Sequence, residues 1–207
     1  MGVSWTLFFV TSMVLIATPG QDMILVMSRS MAQGPKAGLA TAAGVSLGLI
    51  GHTVLATLGL GALLRTSQWL FVALKLVGAV YLVYLGIGLL RTRRDQFTFG
   101  TSARRSTARL LFDGAFSNVS NPKIALFFFA FLPQFVSPDA PRPTLSLFVL
   151  GLVFALLTFL LKAAIGLSAG FLSGWLRARP SVLKWLYRSS GAILIGLGFR
   201  LAMERRT

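Results

Sequence analysis

The 207-residue chain has few of the residues that build chemical sites in soluble proteins. It contains no cysteine, one histidine and five acidic residues. The absence of cysteine excludes disulfides, thiolate-bound metals and thiol redox chemistry. A lone histidine cannot form a multi-histidine metal site, and no convincing acid–base or nucleophilic cluster for a membrane enzyme stands out. We therefore expect no metal centre, no cofactor and no enzymatic activity.

Charge is also scarce, at 12% of residues, whereas soluble domains carry about 25%. Hydrophobic residues make up 55% of the chain and the mean hydropathy is +0.77, so too little polar surface remains to coat a globule in water. The net charge of +15 would suit a nucleic-acid-binding protein, but such domains are not this apolar. The composition indicates an integral membrane protein with basic cytoplasmic loops and no nucleic-acid partner.

Six apolar segments are long enough to cross a bilayer, for which roughly 20 residues suffice. They cover residues 5–27, 37–64, 69–90, 111–136, 145–172 and 182–203. The sequence predicts one all-α transmembrane domain over residues 1–207, with a first three-helix repeat at 1–90, a basic loop at 91–110 and a second repeat at 111–207. No lysine or arginine precedes Arg29, which favours a retained first span over a cleavable signal peptide.

Basic residues are distributed unevenly between the two sides of these spans. Most of them, including the arginines of the 91–110 loop, fall on one side, which the positive-inside rule places in the cytoplasm. Both termini are then expected outside, although Arg205 and Arg206 favour the opposite placement of the last helix. The loop also suits contact with anionic lipids. Asp113, which follows it, is expected to pair with arginine at the interface.

Three spans on each side of the loop imply that the second half inserts upside down relative to the first, as in inverted-repeat transporters. The ends of the third and sixth spans, GAVYLVYLGIGLLRTRR and GAILIGLGFRLAMERR, are alike. The first and fourth spans each contain a helix breaker, at Thr18-Pro19-Gly20 and at Asn121-Pro122. Lipid tolerates broken helices where they face protein or a watery cavity. Paired breaks therefore predict a midplane binding site, the alternative being two plain proline kinks.

Ionisable residues lie close to both breaks. Asp22 follows the first break and Lys123 the second, although a charge inside the bilayer costs at least a few kcal/mol, about 2.5 or more. If the breaks meet, Asp22 and Lys123 face each other and bind the amine and carboxyl of a zwitterion, or exchange a proton for it. The alternative role is a structural ion pair that holds the broken helices together.

Other polar residues in the spans extend this candidate site. Lys162 lies deep in the fifth span and is expected to bind an anion or carboxylate, while Asn118 offers hydrogen bonds beside the second break. His52 continues the face of small residues formed by Ala40, Gly44 and Gly48. It is either a helix-packing histidine or a proton relay, since imidazole titrates near neutral pH. The fifth span has a similar face of small residues, with Gly166, Gly170 and Gly174. These two faces permit a homodimer without demanding one.

Three long stretches resemble the LysE/RhtB amino-acid exporters, in the right order and spacing. They are ATPGQDMILVMSRSMAQGPKAGLATAAGVSLGLIGH, WLFVALKLVGAVYLVYLGIGLLR and SNVSNPKIALFFFAFLPQFVSP. The resemblance extends from about Thr6 to Gly198 and weakens in the last two spans. One departure stands out, because many relatives have a second proline directly after the glycine, where this chain has Gln21.

The resemblance implies a small transporter of the bacterial inner membrane that exports amino acids or related zwitterions, driven by proton antiport. Its motifs place the site at the two breaks, and the alternatives are a divalent-cation exporter of the same superfamily or a non-transporting protein. Few residues here suit metal binding, which argues against the cation exporter. The candidate substrate-binding residues are Pro19, Gly20, Gln21, Asp22, Asn118, Asn121, Pro122, Lys123 and Lys162, with Asp22 and His52 as a candidate proton relay. The expected partners are the amino-acid substrate, protons and membrane lipids.

Overall fold

The computed structural model describes residues 3–18, 20–66, 68–91, 104–137, 140–178 and 180–203, and these are almost entirely helical. An all-α fold is thus confirmed. The helices, in chain order, are α1 (Trp5–Ala17), α2 (Gln21–Gln33), α3 (Pro35–Thr66), α4 (Gln68–Arg91), α5 (Thr107–Val119), α6 (Pro122–Leu126), α7 (Pro143–Ala178) and α8 (Pro180–Met203). A π-helical turn, Phe127–Phe131, and a 3₁₀ turn, Leu132–Phe135, continue α6.

Two of these helices are long and apolar enough to cross a membrane, within Pro35–Gly59 of α3 and Pro143–Ala169 of α7. Two bent pairs also qualify when each counts as one span. The pair α1 and α2 bends by 53°, and the pair of α5 with Pro122–Phe135 bends by 55°. The described residues therefore provide two candidate spans, or four with the bent pairs. The six-span count stays a prediction, although α4 and α8 are 24 residues each, or about 36 Å long.

The distribution of polar and apolar side chains is inverted relative to a soluble protein. Large apolar side chains are exposed along the outer faces of the helices, whereas many polar ones are buried. Exposed examples are Val10, Leu47, Leu55, Val80, Leu156, Leu160 and Phe171, and buried examples are Thr11, Ser12, Asp22, Thr53, Asn118 and Lys162. Apolar surface this continuous indicates contact with lipid rather than water. The fold is that of a membrane protein whose largely apolar interior also contains buried polar side chains.

The first helix break separates α1 from α2. Thr18 leaves the helical conformation, with ψ of 119°, and its hydroxyl donates a 2.6 Å hydrogen bond back to the Val14 carbonyl. Gly20 is extended, and α2 begins at the next residue. Pro19, the centre of the predicted breaker, lies outside the described residues. A break therefore exists where the Thr18-Pro19-Gly20 motif predicted one.

The second break lies between α5 and α6. Asn121 is extended and caps α6, because its side-chain oxygen accepts a 3.1 Å hydrogen bond from the Lys123 backbone N–H. Pro122 occupies the first turn, where its missing N–H costs nothing and its fixed φ suits a helix start. The Asn-Pro dipeptide thus ends one helix and starts the next, as predicted.

The two broken segments lie antiparallel over their whole length. At one end Val3 forms a bridge with Val136, and the Ser4 N–H donates a 2.9 Å hydrogen bond to the Phe135 carbonyl. At the other end Arg29 of α2 reaches Asp113 of α5. This arrangement brings the two breaks to the same level, midway along the pair.

The other helices enclose this pair. Helix α3 packs most extensively on α7 and α5, and α4 packs on α8. Glycine permits the close approach of α4 and α8. A Cβ added at Gly86 would lie 2.6 Å from the Gly191 carbonyl oxygen, and a Cβ added at Gly191 would lie 2.7 Å from the Gly86 carbonyl oxygen. Phenylalanines fill the space between α1, the π-helical turn and α7, namely Phe8, Phe127, Phe128, Phe131, Phe135 and Phe154. The result is a rigid wall on one side of the breaks.

Gly48→Ala tests this close packing near the breaks. A Cβ at Gly48 would lie 2.8 Å from both the Ala115 carbonyl oxygen and the Asn118 Cβ, so α3 and α5 would have to separate. We expect a destabilisation of about 1–3 kcal/mol, visible as a lower melting temperature of the purified protein in detergent. Gly51→Ala is the matched control, because nothing lies within 4 Å of its added Cβ. Equal melting temperatures for the two variants would contradict the prediction.

Candidate binding site between the two broken helices

A small cavity lies where the two breaks meet. Its volume is about 20 Å³, which is room for one or two water molecules. The lining residues come from α1, α2, α5, α6 and α7 and from the two breaks, and they are Leu15, Ile16, Thr18, Gly20, Gln21, Asp22, Met23, Asn118, Asn121, Lys123, Ile124, Phe154, Thr158 and Lys162. The structure is therefore closed around this point, and a molecule the size of an amino acid needs the helices to separate.

The cavity gathers most of the residues that the sequence nominated for the substrate. Gly20, Gln21, Asp22, Asn118, Asn121, Lys123 and Lys162 all line it. Pro122 is not among the lining residues and serves α6 as its first-turn residue. Pro19 lies outside the described residues. The breaks thus bring together side chains that are far apart in the chain.

Asp22 is held by α5. Its carboxylate is 4% exposed and accepts hydrogen bonds from Ser117 Oγ at 3.0 Å and from Asn118 Nδ2 at 2.8 Å. Within the described residues, every ion pair involves Asp113 and none involves Asp22. A buried carboxylate with neutral hydrogen-bond donors and no ion pair of its own is suited to accept a cation.

The two lysines of the cavity differ in their contacts. Lys123 Nζ donates a 3.1 Å hydrogen bond to the Leu15 carbonyl, near the C-terminal end of α1, where the helix dipole favours a cation. Lys162 is 5% exposed, and the described residues contain no hydrogen-bond or ion-pair partner for its ammonium. The predicted facing of Asp22 and Lys123 thus takes the form of a shared cavity, with no direct ion pair between them.

The two breaks contact each other reciprocally. Asp22, just after the first break, meets Ser117 and Asn118, just before the second. Lys123, just after the second break, meets Leu15, just before the first. Each break is therefore held by hydrogen bonds to the other segment.

Thr158 is a lining residue that the sequence patterns did not single out. It is 3% exposed, and its hydroxyl oxygen has no hydrogen-bond partner among the described residues. It lies four residues before Lys162 in α7, on the same helix face, because an α-helix repeats every 3.6 residues. The four-residue spacing between Thr158 and Lys162 was the sequence signal that could have identified Thr158 as a lining residue.

His52 lies behind the cavity, on the far side of Asn118. Its Nε2 is 3.3 Å from the Asn118 carbonyl oxygen, and since a carbonyl only accepts, Nε2 carries the proton. The ring stacks on Phe128, with 5.6 Å between centroids. His52 therefore touches the residue that holds Asp22 rather than Asp22 itself, and its relay role stays a prediction.

A second polar cluster surrounds Asp113, about one and a half helical turns before Asn118 in α5. Its carboxylate pairs with Arg29 at 3.3 Å, Arg105 at 2.7 Å and Arg109 at 3.1 Å. The expected pairing of Asp113 with arginine is confirmed, and the buried Arg29 of α2 joins it from outside the basic loop. Residues 92–103 of that loop lie outside the described residues. The cluster ties α2 to the start of α5.

A wider cavity of about 640 Å³ lies on the Asp113 side of the breaks. It shares Gly20 and Gln21 with the small cavity and includes Ser117, whose hydroxyl holds Asp22. Its remaining lining is mostly apolar, with Ile24, Leu25, Ser28, Leu89, Asp113, Phe116 and Tyr187. The wide cavity therefore adjoins the small one at Gly20 and Gln21, and its volume is large enough for an amino acid.

Comparison with known proteins agrees with this architecture. The model of the family described as LysE type translocator matches residues 13–205. The chain belongs to the LysE type translocators. It is therefore a transporter and not an enzyme, and the resemblance seen in the sequence motifs is confirmed. No solved structure matches this LysE type translocator significantly.

Relatives of this translocator cover nearly its whole length. It is 31% identical over 97% of both chains to a homoserine/homoserine lactone efflux protein of Salmonella typhimurium. It is 27% identical to a leucine efflux protein of Klebsiella pneumoniae, over 97% of this chain and 95% of the relative. It is also 32% identical to an uncharacterized membrane protein of Pseudomonas aeruginosa, over 91% and 89% of the two chains. Transport, efflux and a membrane location are thus common ground between this chain and its relatives.

Proposed function

We propose that this LysE type translocator exports a small zwitterionic amino acid, or a close relative of one, across the bacterial inner membrane in exchange for protons. The observation that carries the proposal is the small cavity at the two breaks. It places a carboxylate, Asp22, and two ammonium groups, Lys123 and Lys162, around one point inside an apolar protein. The names of the relatives, which refer to homoserine and leucine efflux, support an amino acid as substrate.

The proposed architecture has six spans in two inverted three-helix repeats. The nearly equal bends of 53° and 55° and the reciprocal contacts of the two breaks support this symmetry. Helices α4 and α8 support it as well, because Gly86 faces Gly191 while Gly198 faces Ala79. A shift of 112 residues places Ala79 on Gly191 and Gly86 on Gly198. Under that shift the Gly86–Gly191 contact becomes the Gly198–Ala79 contact, as a two-fold repeat requires. Transport then follows from one half rocking against the other around the site.

The proposed orientation places the Asp113 end of the molecule in the cytoplasm and both termini outside. Arg29, Arg105 and Arg109 gather at that end, as the positive-inside rule requires. The wide cavity then opens from the cytoplasmic half, which is the side from which an exporter takes its substrate. A homodimer stays a prediction.

In the proposed cycle, Asp22 carries the proton and the substrate ammonium in turn. When the site is empty, the carboxylate takes up a proton, and the neutral group returns this proton to the cytoplasmic side. After the proton has left, the ionised carboxylate binds the ammonium of the substrate. Ser117 and Asn118 donate to the carboxylate in the closed structure, which offsets the cost of burying its charge. A divalent cation finds a poorer site here, because both lysines repel it.

Counterflow in proteoliposomes tests this function. Vesicles containing the purified protein are loaded with unlabelled homoserine, leucine or Mn²⁺, and uptake of the labelled compound is followed. We expect transient accumulation of an amino acid and none of Mn²⁺, with protein-free vesicles as the control. Accumulation of Mn²⁺ alone would make the protein a cation exporter. Acidifying the outside of vesicles that hold labelled amino acid should accelerate efflux, and an unchanged efflux rate would contradict proton exchange.

A further inference from the structure

We infer that the site recognises both charged groups of an α-amino acid, with Lys162 and Thr158 binding the carboxylate, and that it excludes amino acids with a cationic side chain. This inference rests on the proposed function and names the substrate class of the same site. It also separates the roles of the two lysines.

Lys162 and Thr158 form a receptor for a carboxylate. Both are more than nine-tenths buried. The Thr158 hydroxyl has no hydrogen-bond partner among the described residues, and no ion pair among them includes the Lys162 ammonium. They lie one turn apart on α7 and line the same cavity. An unpartnered ammonium inside an apolar protein is costly unless a negative group joins it during the cycle. A carboxylate accepting from both groups would remove that cost.

Lys123 has a different task. Its ammonium already donates to the Leu15 carbonyl, across the gap between the two broken segments. That contact closes the site on the α1 side and needs no anion from the substrate. One carboxylate, Asp22, and one cation, Lys162, then remain for the substrate among the described residues of the cavity, which matches the α-ammonium and α-carboxylate of an amino acid.

No carboxylate is left for a cationic group on the side chain. The chain has five acidic residues, of which two lie among the described residues. Asp22 takes the α-ammonium, and Asp113 is already neutralised by three arginines. The other three, at positions 95, 139 and 204, lie outside the described residues and outside the six predicted spans. The wide cavity has apolar walls at Ile24, Leu25 and Phe116. A cationic side chain would therefore lose its hydration without gaining a counter-ion.

A matched pair of amino acids tests this selectivity on the unmodified protein. Labelled leucine or homoserine counterflow is measured while norleucine or lysine competes from outside. Lysine differs from norleucine essentially by its side-chain ammonium. We expect lysine to compete at least about tenfold more weakly than norleucine, which corresponds to about 1.4 kcal/mol. Equal competition by the two would overturn the inference while leaving amino-acid transport intact, whereas no counterflow of any amino acid would overturn the function itself.

Leucinamide tests the carboxylate receptor, because it keeps the ammonium and replaces the carboxylate with a neutral amide. The wild-type protein should prefer leucine to leucinamide as a competitor by at least about tenfold. Lys162→Gln should remove this preference, whereas Lys184→Gln, at an exposed position of α8, should keep it. A preference that survives in a folded Lys162→Gln protein, or no preference in the wild type, would overturn the assignment. If Lys162→Gln does not fold, Thr158→Val supplies the same comparison with a smaller expected loss.

Discussion

Replacing Asp22 with asparagine should lower the initial rate of amino-acid counterflow by about 10- to 100-fold, since a hydrogen bond to a charged group contributes about 1.5–3 kcal/mol. The variant loses the only carboxylate among the described lining residues of the small cavity, and with it both the ammonium site and the proposed proton carrier. The measurement is counterflow at equal amounts of reconstituted protein. It is the most direct test of the site, because the substitution changes the charge and almost nothing else.

The surroundings of Asp22 explain why this variant should fold. In the wild type its carboxylate accepts from Asn118 Nδ2, while Asn118 Oδ1 has no partner among the described residues. A flip of the Asn118 amide would turn that oxygen toward the side-chain amide introduced at position 22, so both groups stay hydrogen-bonded. We therefore expect an elution profile and melting temperature close to wild type. Wild-type counterflow by Asp22→Asn would show that Asp22 only braces the broken helices.

Asp113→Asn should have the largest effect on stability. It removes the carboxylate shared by three arginines, of which Arg29 has only 10% of its side chain exposed. Removing the acidic partner of a buried, ion-paired arginine costs about 3–5 kcal/mol. The melting temperature of the purified protein in detergent should fall well below that of the wild type, and more so at low salt, because screening softens the repulsion between the remaining arginines.

Arg109→Gln is the matched control for Asp113→Asn. Its side chain is 58% exposed, and exposed ion pairs contribute about 0–1 kcal/mol. Its melting temperature should therefore stay near that of the wild type. If the two variants melt alike, the Asp113 cluster is an ordinary surface network and does not hold α2 to α5.

The distinct roles of the two polar clusters follow from their contacts. The Asp113 cluster joins α2 to α5 with ion pairs in which every member is a protein side chain. The cavity cluster joins the same two helices through neutral hydrogen-bond donors, and no ion pair among the described residues includes its Lys162 ammonium. An ion-pair cluster that only holds helices together is complete without a ligand, whereas a transport site needs one. The contacts of the two clusters therefore suit a structural role for the Asp113 cluster and the proposed transport role for the cavity cluster.

Much of this molecule follows from the sequence alone. Membrane character, an all-α fold and both breaks are local properties, because apolar composition and the backbone chemistry of proline, glycine and asparagine act within a few residues. Asp22 and Lys123 were recognisable for the same reason, since an ionisable residue beside a break is conspicuous in an apolar span. The pairing of Asp113 with arginine needed only proximity in the chain.

Only the tertiary structure decided which of these residues meet. The antiparallel crossing of the two broken segments places Asp22 on Ser117 and Asn118, and it gives Lys123 to the Leu15 carbonyl rather than to Asp22. Arg29 joins Asp113 across 84 positions of sequence, and Thr158 acquires meaning only because α7 turns it toward the same cavity as Lys162. The physical reason is that helix periodicity and backbone breaks are set by neighbours along the chain. The partner of a buried charge, in contrast, depends on how distant helices pack.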